Sequence, residues 1–168
     1  FDIFEPFRAA EAIYQMNLKH AVITSVNRDD LDDGGAGIFA QTILESRRRS
    51  PGTEIEVLIP DFKGDREALQ TVMDAVPEVL NHNTETVPRL YKRARPGGRY
   101  ERVMKIFRDA KAFAPDIPTK TGIILGTQNS DHFMTVEDVK RYYYVGQRIS
   151  QLTYNSQNMI ASGSTDRA

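Results

Sequence analysis

The sequence predicts an α/β fold, a parallel sheet that is open or curled into part of a β/α barrel. Three observations carry this. Short runs rich in β-branched residues recur at 20–26, 54–59, 79–81 and 121–125 and read as mostly buried strands. Helical patterns of the usual 10–15-residue length lie between them, which implies right-handed βαβ units. Four strands are too few to close an eight-stranded barrel, so the barrel is partial.

The elements follow in order. Residues 5–17 place Ala9, Ile13 and Met16 on one face of a first helix. H-A-V-I-T-S-V at 20–26 is the first strand. Residues 36–49 stack Ala36, Phe39, Ala40 and Ile43, then end in Arg47-Arg48-Arg49 and Ser50-Pro51-Gly52. Cations suit the negative end of a helix dipole, and Pro and Gly stop the helix. E-I-E-V-L-I at 54–59 is the second strand. Leu69, Val72, Met73 and Val76 are spaced i, i+3, i+4 and i+7 in a helix over 65–76 that Pro77 ends. After a short strand at 79–81, residues 99–113 repeat the helical spacing with Tyr100, Val103, Met104 and Phe107. T-G-I-I-L at 121–125 is the fourth strand. Thr135 to Asp138 forms a capping box, with Asp in place of Glu, that opens a last helix to about 147. Residues 147–168 are rich in Ser, Gln, Asn and Thr and predict no element. The domain reading is a barrel core over 1–126 and a divergent C-terminal helix and tail over 127–168.

Composition excludes several classes. The 168 residues carry 22 Lys+Arg and 23 Asp+Glu, a net charge of −1, which argues against a protein built to hold nucleic acid or anionic lipid. The longest apolar run, at 142–145, is far short of the roughly 20 residues of a membrane helix. No basic and apolar leader opens the chain, so a cytoplasmic location is expected, or the mitochondrial matrix in a eukaryote. There is no cysteine, which removes disulfides and thiolate metal sites from this chain. His20, His82 and His132 have no metal-ligand spacing, and no metal site is expected.

Ligands of parallel α/β folds bind beyond the carboxyl ends of the strands. After the first strand comes a loop holding Ser25, Asn27, Asp29, Asp30, Gly34 and Gly35. It reads either as a capped polar turn or as a place where a glycine pair lets backbone approach a ligand and acids grip an ammonium or hydroxyls. Pro60-Asp61-Phe62 after the second strand reads as a turn. After the third, Asn81, His82, Asn83, Thr84 and Glu85 gather hydrogen-bonding heads that packing alone does not explain. Residues 89–111 hold nine Lys or Arg against Glu101 and Asp109, either a solvated helix face or a docking surface for an acidic partner. Lys120, if buried, suits a Schiff base, as in barrel aldolases.

Several strings together carry a resemblance: I-T-S-V-N-R-D-D-L at 23–31, D-G-G-A at 33–36, E-V-L-I-P-D-F at 56–62, N-H-N-T-E-T-V-P-R-L-Y at 81–91, R-P-G at 95–97 and A-P-D-I-P-T-K at 114–120. Collinear from about residue 5 to 126, the chain resembles lipoyl synthase. The resemblance implies a radical S-adenosylmethionine enzyme with a partial barrel, which inserts two sulfurs into an octanoyl group carried on a lipoyl domain or glycine-cleavage H protein. It implies S-adenosylmethionine and two [4Fe–4S] clusters as cofactors. By the same resemblance Ser25, Asn27, Asp29, Asp30, Gly34, Gly35, Asn81, Asn83 and Glu85 line the nucleoside pocket, and Arg89, Arg93 and Arg95 face the substrate or its acidic carrier. No residue is assigned as catalytic.

Departures from the family are specific. The family's C-x-x-x-C-x-x-C motif lies upstream of where this chain begins, and no cluster ligand is present here. Asn27 stands for a usual Asp, Asp32 for Pro, Thr121 and Val103 for Ser. After Gly126 about one βα unit of the family is missing, and neither Ser162 nor Ser164 can be assigned as a ligand. The expectation is a shortened barrel portion that does not insert sulfur on its own, with a non-catalytic nucleoside- or carrier-binding module as the alternative.

Overall fold

The computed structural model describes residues 2–122, 126–127, 135–138, 140 and 149–150. The chain divides into two compact units, Phe1–Thr84 with Pro88–Gly122, and Glu85–Val87 with Ile123–Ala168.

In the first unit, α1 (Glu5–Gln15) begins with Pro6 in its first turn, where the missing N–H costs nothing. Its buried face is Pro6, Ala10 and Ile13. The expected face is corrected here, because Met16 lies at the helix end and is exposed. β1 (His20–Thr24) follows, then α2 (Ala36–Arg49), β2 (Glu54–Leu58) and α3 (Arg66–Asp74). Asp65 caps α3 by accepting from the N–H groups of Glu67 and Ala68. β3 (Val79–Asn81), α4 (Tyr91–Ala94), α5 (Tyr100–Phe113) and β4 (Thr119–Lys120) complete the unit.

The four strands are parallel and lie in chain order, β1-β2-β3-β4. The register sets His20 beside Glu54 and Val22 beside Glu56. It also aligns Leu58 with Asn81, and Asn81 with Lys120. β1 ends the sheet and meets β2 on one side alone among the described residues. The fourth strand begins two residues earlier than the sequence reading has it, and the expected 121–125 span falls partly outside the described residues. Leu80 and His82 donate to the carbonyls of Pro118 and Lys120, so the ladder is already running at Pro118.

Strand side chains alternate between two faces. Ala21, Ile55, Val57, Ile59 and Leu80 join Phe39, Ile43, Leu69, Val72, Met73 and Ile106 in one core between sheet and helices. α1, α2, α3 and α5 therefore cover one face, as in a barrel wall. The opposite face carries His20, Val22, Glu54, Glu56, Asn81 and Lys120. Val22 is 53% exposed there, the position a closed barrel would make its interior.

In the second unit, β5 (Gly126–Thr127) pairs in parallel with β6 (Ile149–Ser150). The predicted capping box is present. Thr135 N–H donates to Asp138 at 2.8 Å, and Asp138 N–H returns to the Thr135 hydroxyl at 3.2 Å. β6 lies in the stretch for which the sequence predicts no element; the residues of the predicted helix beyond Lys140, the tail after Ser150, Ser162 and Ser164 lie outside the described residues.

Candidate functional site

The carboxyl end of the sheet carries three distinct groups of polar residues. The first is the loop after β1. Arg28 donates to Asp30 through two parallel bonds of 2.8 and 2.7 Å, and this pairing holds the Asp30 carboxyl down to about 2. Lys63 reaches Asp29 at 3.5 Å. The Asp33 carboxylate accepts from Gly35 N–H at 2.8 Å and Gly37 N–H at 2.7 Å, so it takes the amides that an anion would use at the start of α2. Gly34 and Gly35 sit at φ +61° and +88°, where an L side chain is strained. A Cβ on Gly34 would come within 3.0 Å of the Phe62 ring. The glycine pair thus lets the loop press against β2's end. In the geometry described, these acids hold their own neighbours.

Two concavities open around this loop. One, about 340 Å³, is lined by Ser25, Arg28, Gly35, Ile23, Phe39 and Glu5. A smaller one, about 50 Å³, runs between the loops after β1 and β2 and is lined by Asn27, Asp29, Gly34 and Lys63 among others.

The second group follows β2. Asp61 accepts from Arg102 at 2.7 Å and from Lys63 N–H at 3.0 Å. Burial pushes its carboxyl up, but the Arg102 bond and charge outweigh that and leave it below its usual value. This pair ties the β2 turn to α5.

The third group follows β3. His82 is buried, and its Nδ1 lies 2.8 Å from the Ile59 carbonyl, which can only accept, so Nδ1 carries the proton. Thr121 donates its hydroxyl to His82 O at 2.9 Å, and Thr84 therefore donates to Thr121 across 2.6 Å. A hydroxyl is what this position needs, and Thr121 keeps it where the resemblance has Ser. Tyr91 closes the turn by donating to Thr84 O at 2.6 Å. Asn83 is half-buried, and Glu85, in the second unit, holds φ +67°.

Asn81 connects the strand end to the open face of the sheet. It is 8% exposed, and its Nδ2 donates to Glu56 Oε1 at 2.8 Å. Lys120 Nζ reaches both Glu56 oxygens, at 3.0 and 3.2 Å, and His20 Nε2 lies 3.3 Å from Oε2. Burial raises the Glu56 carboxyl; the Lys120 and Asn81 bonds, the Lys120 charge and His20 more than offset this, and the net shift is downward. The sequence reading missed Glu56 and His20, although two acids at alternate positions of a buried strand, E-I-E, signal a polar inner face.

The arrangement brings Ser25 with Gly35, and Asn27 with Asp29 and Gly34, while Asn81 joins Glu56 and Lys120 instead. On the basic segment, Arg102, Lys105 and Lys111 are engaged with Asp61, Asp109 and the carbonyls of Pro115 and Ile117. Arg89 and Arg93 are exposed, and Arg95 is half-buried.

The family model for the radical SAM superfamily matches residues 4–139. The chain belongs to the radical SAM superfamily. Curated relatives that this superfamily member resembles are the lipoyl synthases of Rubrobacter xylanophilus, 50% identical over 143 residues (84% of this chain and 44% of that protein), and of Koribacter versatilis, 54% over 125 residues (74% and 41%). Lipoyl synthase of Hahella chejuensis is 52% identical over 138 residues, covering 82% of this chain and 40% of its own. The chain spans less than half the length of these relatives.

The cofactors implied by a radical SAM assignment divide by donor chemistry. Cluster iron takes thiolates, and this sequence has none. Among the described residues no three His, Asp or Glu side chains gather around one point. The residues present do not fit a cluster. A nucleoside is different. Asn81 Oδ1 is a buried acceptor with no hydrogen-bond partner among the described residues, and the group it lacks is a donor such as a hydroxyl or ammonium. No helix among the described residues is long and apolar enough to cross a membrane.

Proposed function

We propose that this chain is the nucleoside-binding barrel portion of a lipoyl synthase, an enzyme that inserts two sulfurs into protein-bound octanoyl groups. The observation that carries this is 50–54% identity to lipoyl synthases over 125–143 residues. Unactivated C–H bonds lie beyond side-chain acids and bases, and S-adenosylmethionine supplies the radical chemistry that such an enzyme needs. The chain's own part is to bind and orient. Asn81 and Asn83 offer amides to the ligand's hydroxyl and amino groups, and the 25–35 loop with Ser25, Asn27, Asp29, Asp30, Gly34 and Gly35 walls the mouth; Glu85, in the second unit, is a candidate carboxylate by the resemblance alone. Exposed Arg89 and Arg93, with Arg95, face an acidic carrier, a lipoyl domain or H protein bearing the octanoyl group. Cluster ligands come from outside this chain, so the chain alone inserts no sulfur. A cytoplasmic location belongs to the same proposal.

With no cluster ligands in this chain to help hold the ligand, its affinity is on the order of 1 mM, about 4 kcal/mol. NMR titration with S-adenosylmethionine and S-adenosylhomocysteine tests this. The expected result is shifts clustered at 81–85 that Asn83→Ala abolishes. No site-specific shift at millimolar ligand overturns the pocket.

A further inference from the structure

We infer that Glu56 is a positioning residue for the strand-end ligand site, fixing the Lys120 ammonium and the Asn81 amide in place before a ligand arrives. The inference rests on the nucleoside reading above.

Glu56 is 3% exposed and sits mid-strand in β2, beside Val22 on β1 and Val79 on β3. An apolar residue between two valines would pack at no electrostatic cost. Burying an ion pair at best breaks even with such packing, so stability alone does not account for the acid. What it does is geometric. Its partners come from three different strands: His20 from β1, Asn81 from β3 and Lys120 from β4. One carboxylate thus ties polar heads from across the whole sheet to a single point.

Two consequences follow from the chemistry. An ionised carboxylate only accepts hydrogen bonds, so the Asn81 amide must turn Nδ2 toward Glu56 and keep Oδ1 as an acceptor. A ligand group that meets Asn81 must then be a donor. Meanwhile the Lys120 side chain is 58% exposed, yet its ammonium is held by both Glu56 oxygens. A lysine tip that would otherwise sample many rotamers is held level with Asn81, its register partner. The site therefore offers a fixed acceptor and a fixed cation side by side.

The test uses the 168-residue chain and S-adenosylhomocysteine as probe. Glu56→Gln keeps the shape and removes the charge. Its affinity is expected to fall about tenfold, the usual scale of one charge-assisted hydrogen bond. Because Glu56 acts through Lys120 and Asn81, the Glu56→Gln/Lys120→Met/Asn81→Ala triple variant binds no more weakly than Lys120→Met/Asn81→Ala. In the unliganded wild type, the Lys120 ammonium and the Asn81 carboxamide show slowed hydrogen exchange that Glu56→Gln abolishes. Equal probe affinity in wild type and Glu56→Gln, with wild type binding, overturns the positioning role and leaves the nucleoside reading intact. Absence of binding by wild type overturns that reading and this inference with it. Should Glu56→Gln fail to fold, wild-type exchange decides: solvent-like rates at Lys120 and Asn81 overturn the proposal.

Discussion

Replacing Asp33 with alanine isolates how the loop after β1 is held. Gly35 occupies the N-cap of α2 and has no side chain to offer the helix's first N–H groups. Asp33 supplies the missing acceptor from two residues upstream, at 2.8 Å to Gly35 N–H and 2.7 Å to Gly37 N–H. Loss of a capping acceptor costs about 1 kcal/mol. Removing a negative charge from a helix N-terminus adds about 0.3–1 kcal/mol. The sum, about 1.3–2 kcal/mol, corresponds to a melting temperature lower by ~3–8 °C for a chain of this size. Asp33→Asn keeps one of the two acceptors and loses the charge, so it should cost less than Asp33→Ala, while the salt-dependent part of the loss is the same in both. Urea denaturation followed by circular dichroism, at low and high salt, measures both. A change below about 0.5 kcal/mol for Asp33→Ala, or an equal loss in the two variants, refutes the assignment of Asp33 as the cap of α2.

Three further outcomes are expected. Glu56, Asp61 and Glu78 all have carboxyls lowered by their partners, so the stability they add is present above the unfolded values, about 4, and is lost as pH falls through the folded ones. Urea midpoints should drop steadily between about pH 5 and about pH 3, and Arg102→Met should flatten part of that slope. Gly34→Ala meets both a left-handed φ of +61° and the Phe62 ring at 3.0 Å, and should destabilise by about 1–3 kcal/mol in the same assay. Anaerobic reconstitution with iron and sulfide should give no stoichiometric [4Fe–4S] absorbance, because no thiolate is available; a cluster at about one per chain would contradict this.

The helices were legible where an apolar stripe coincides with clear stop signals. α2 runs from Ala36 to Arg49, as its arginines and Ser50-Pro51-Gly52 require. In α1 the stripe misled, because small and proline residues, Pro6 and Ala10, are buried while the larger Met16 at the helix end remains outside. Strand-end loops could be located from the sequence because chain direction fixes the carboxyl end of every parallel strand. Their internal pairings could not. The acids Asp29 and Asp30 look ready for a ligand in one dimension, yet Lys63 comes from the next loop to meet Asp29 and Arg28 folds back on Asp30. Glu56, His20 and Lys120 are far apart along the chain, and strand register alone brings them together.

The outer edge of β1 bears on how the molecule behaves at high concentration. Among the described residues, His20–Thr24 are extended and paired on one side by β2; Val22 within the strand and Val26 beyond it are 53% and 76% exposed. This outer side has no strand partner among the described residues, and such an edge is a template for pairing. Any β-strand with a compatible face can add to it by main-chain bonds, whether from a longer version of the same polypeptide or from a second molecule. A mate from the same polypeptide would act at high effective concentration and would silence the edge. Left without one, the edge favours self-association that grows with protein concentration, and a single lysine in place of Val22 would be the simplest way to blunt it.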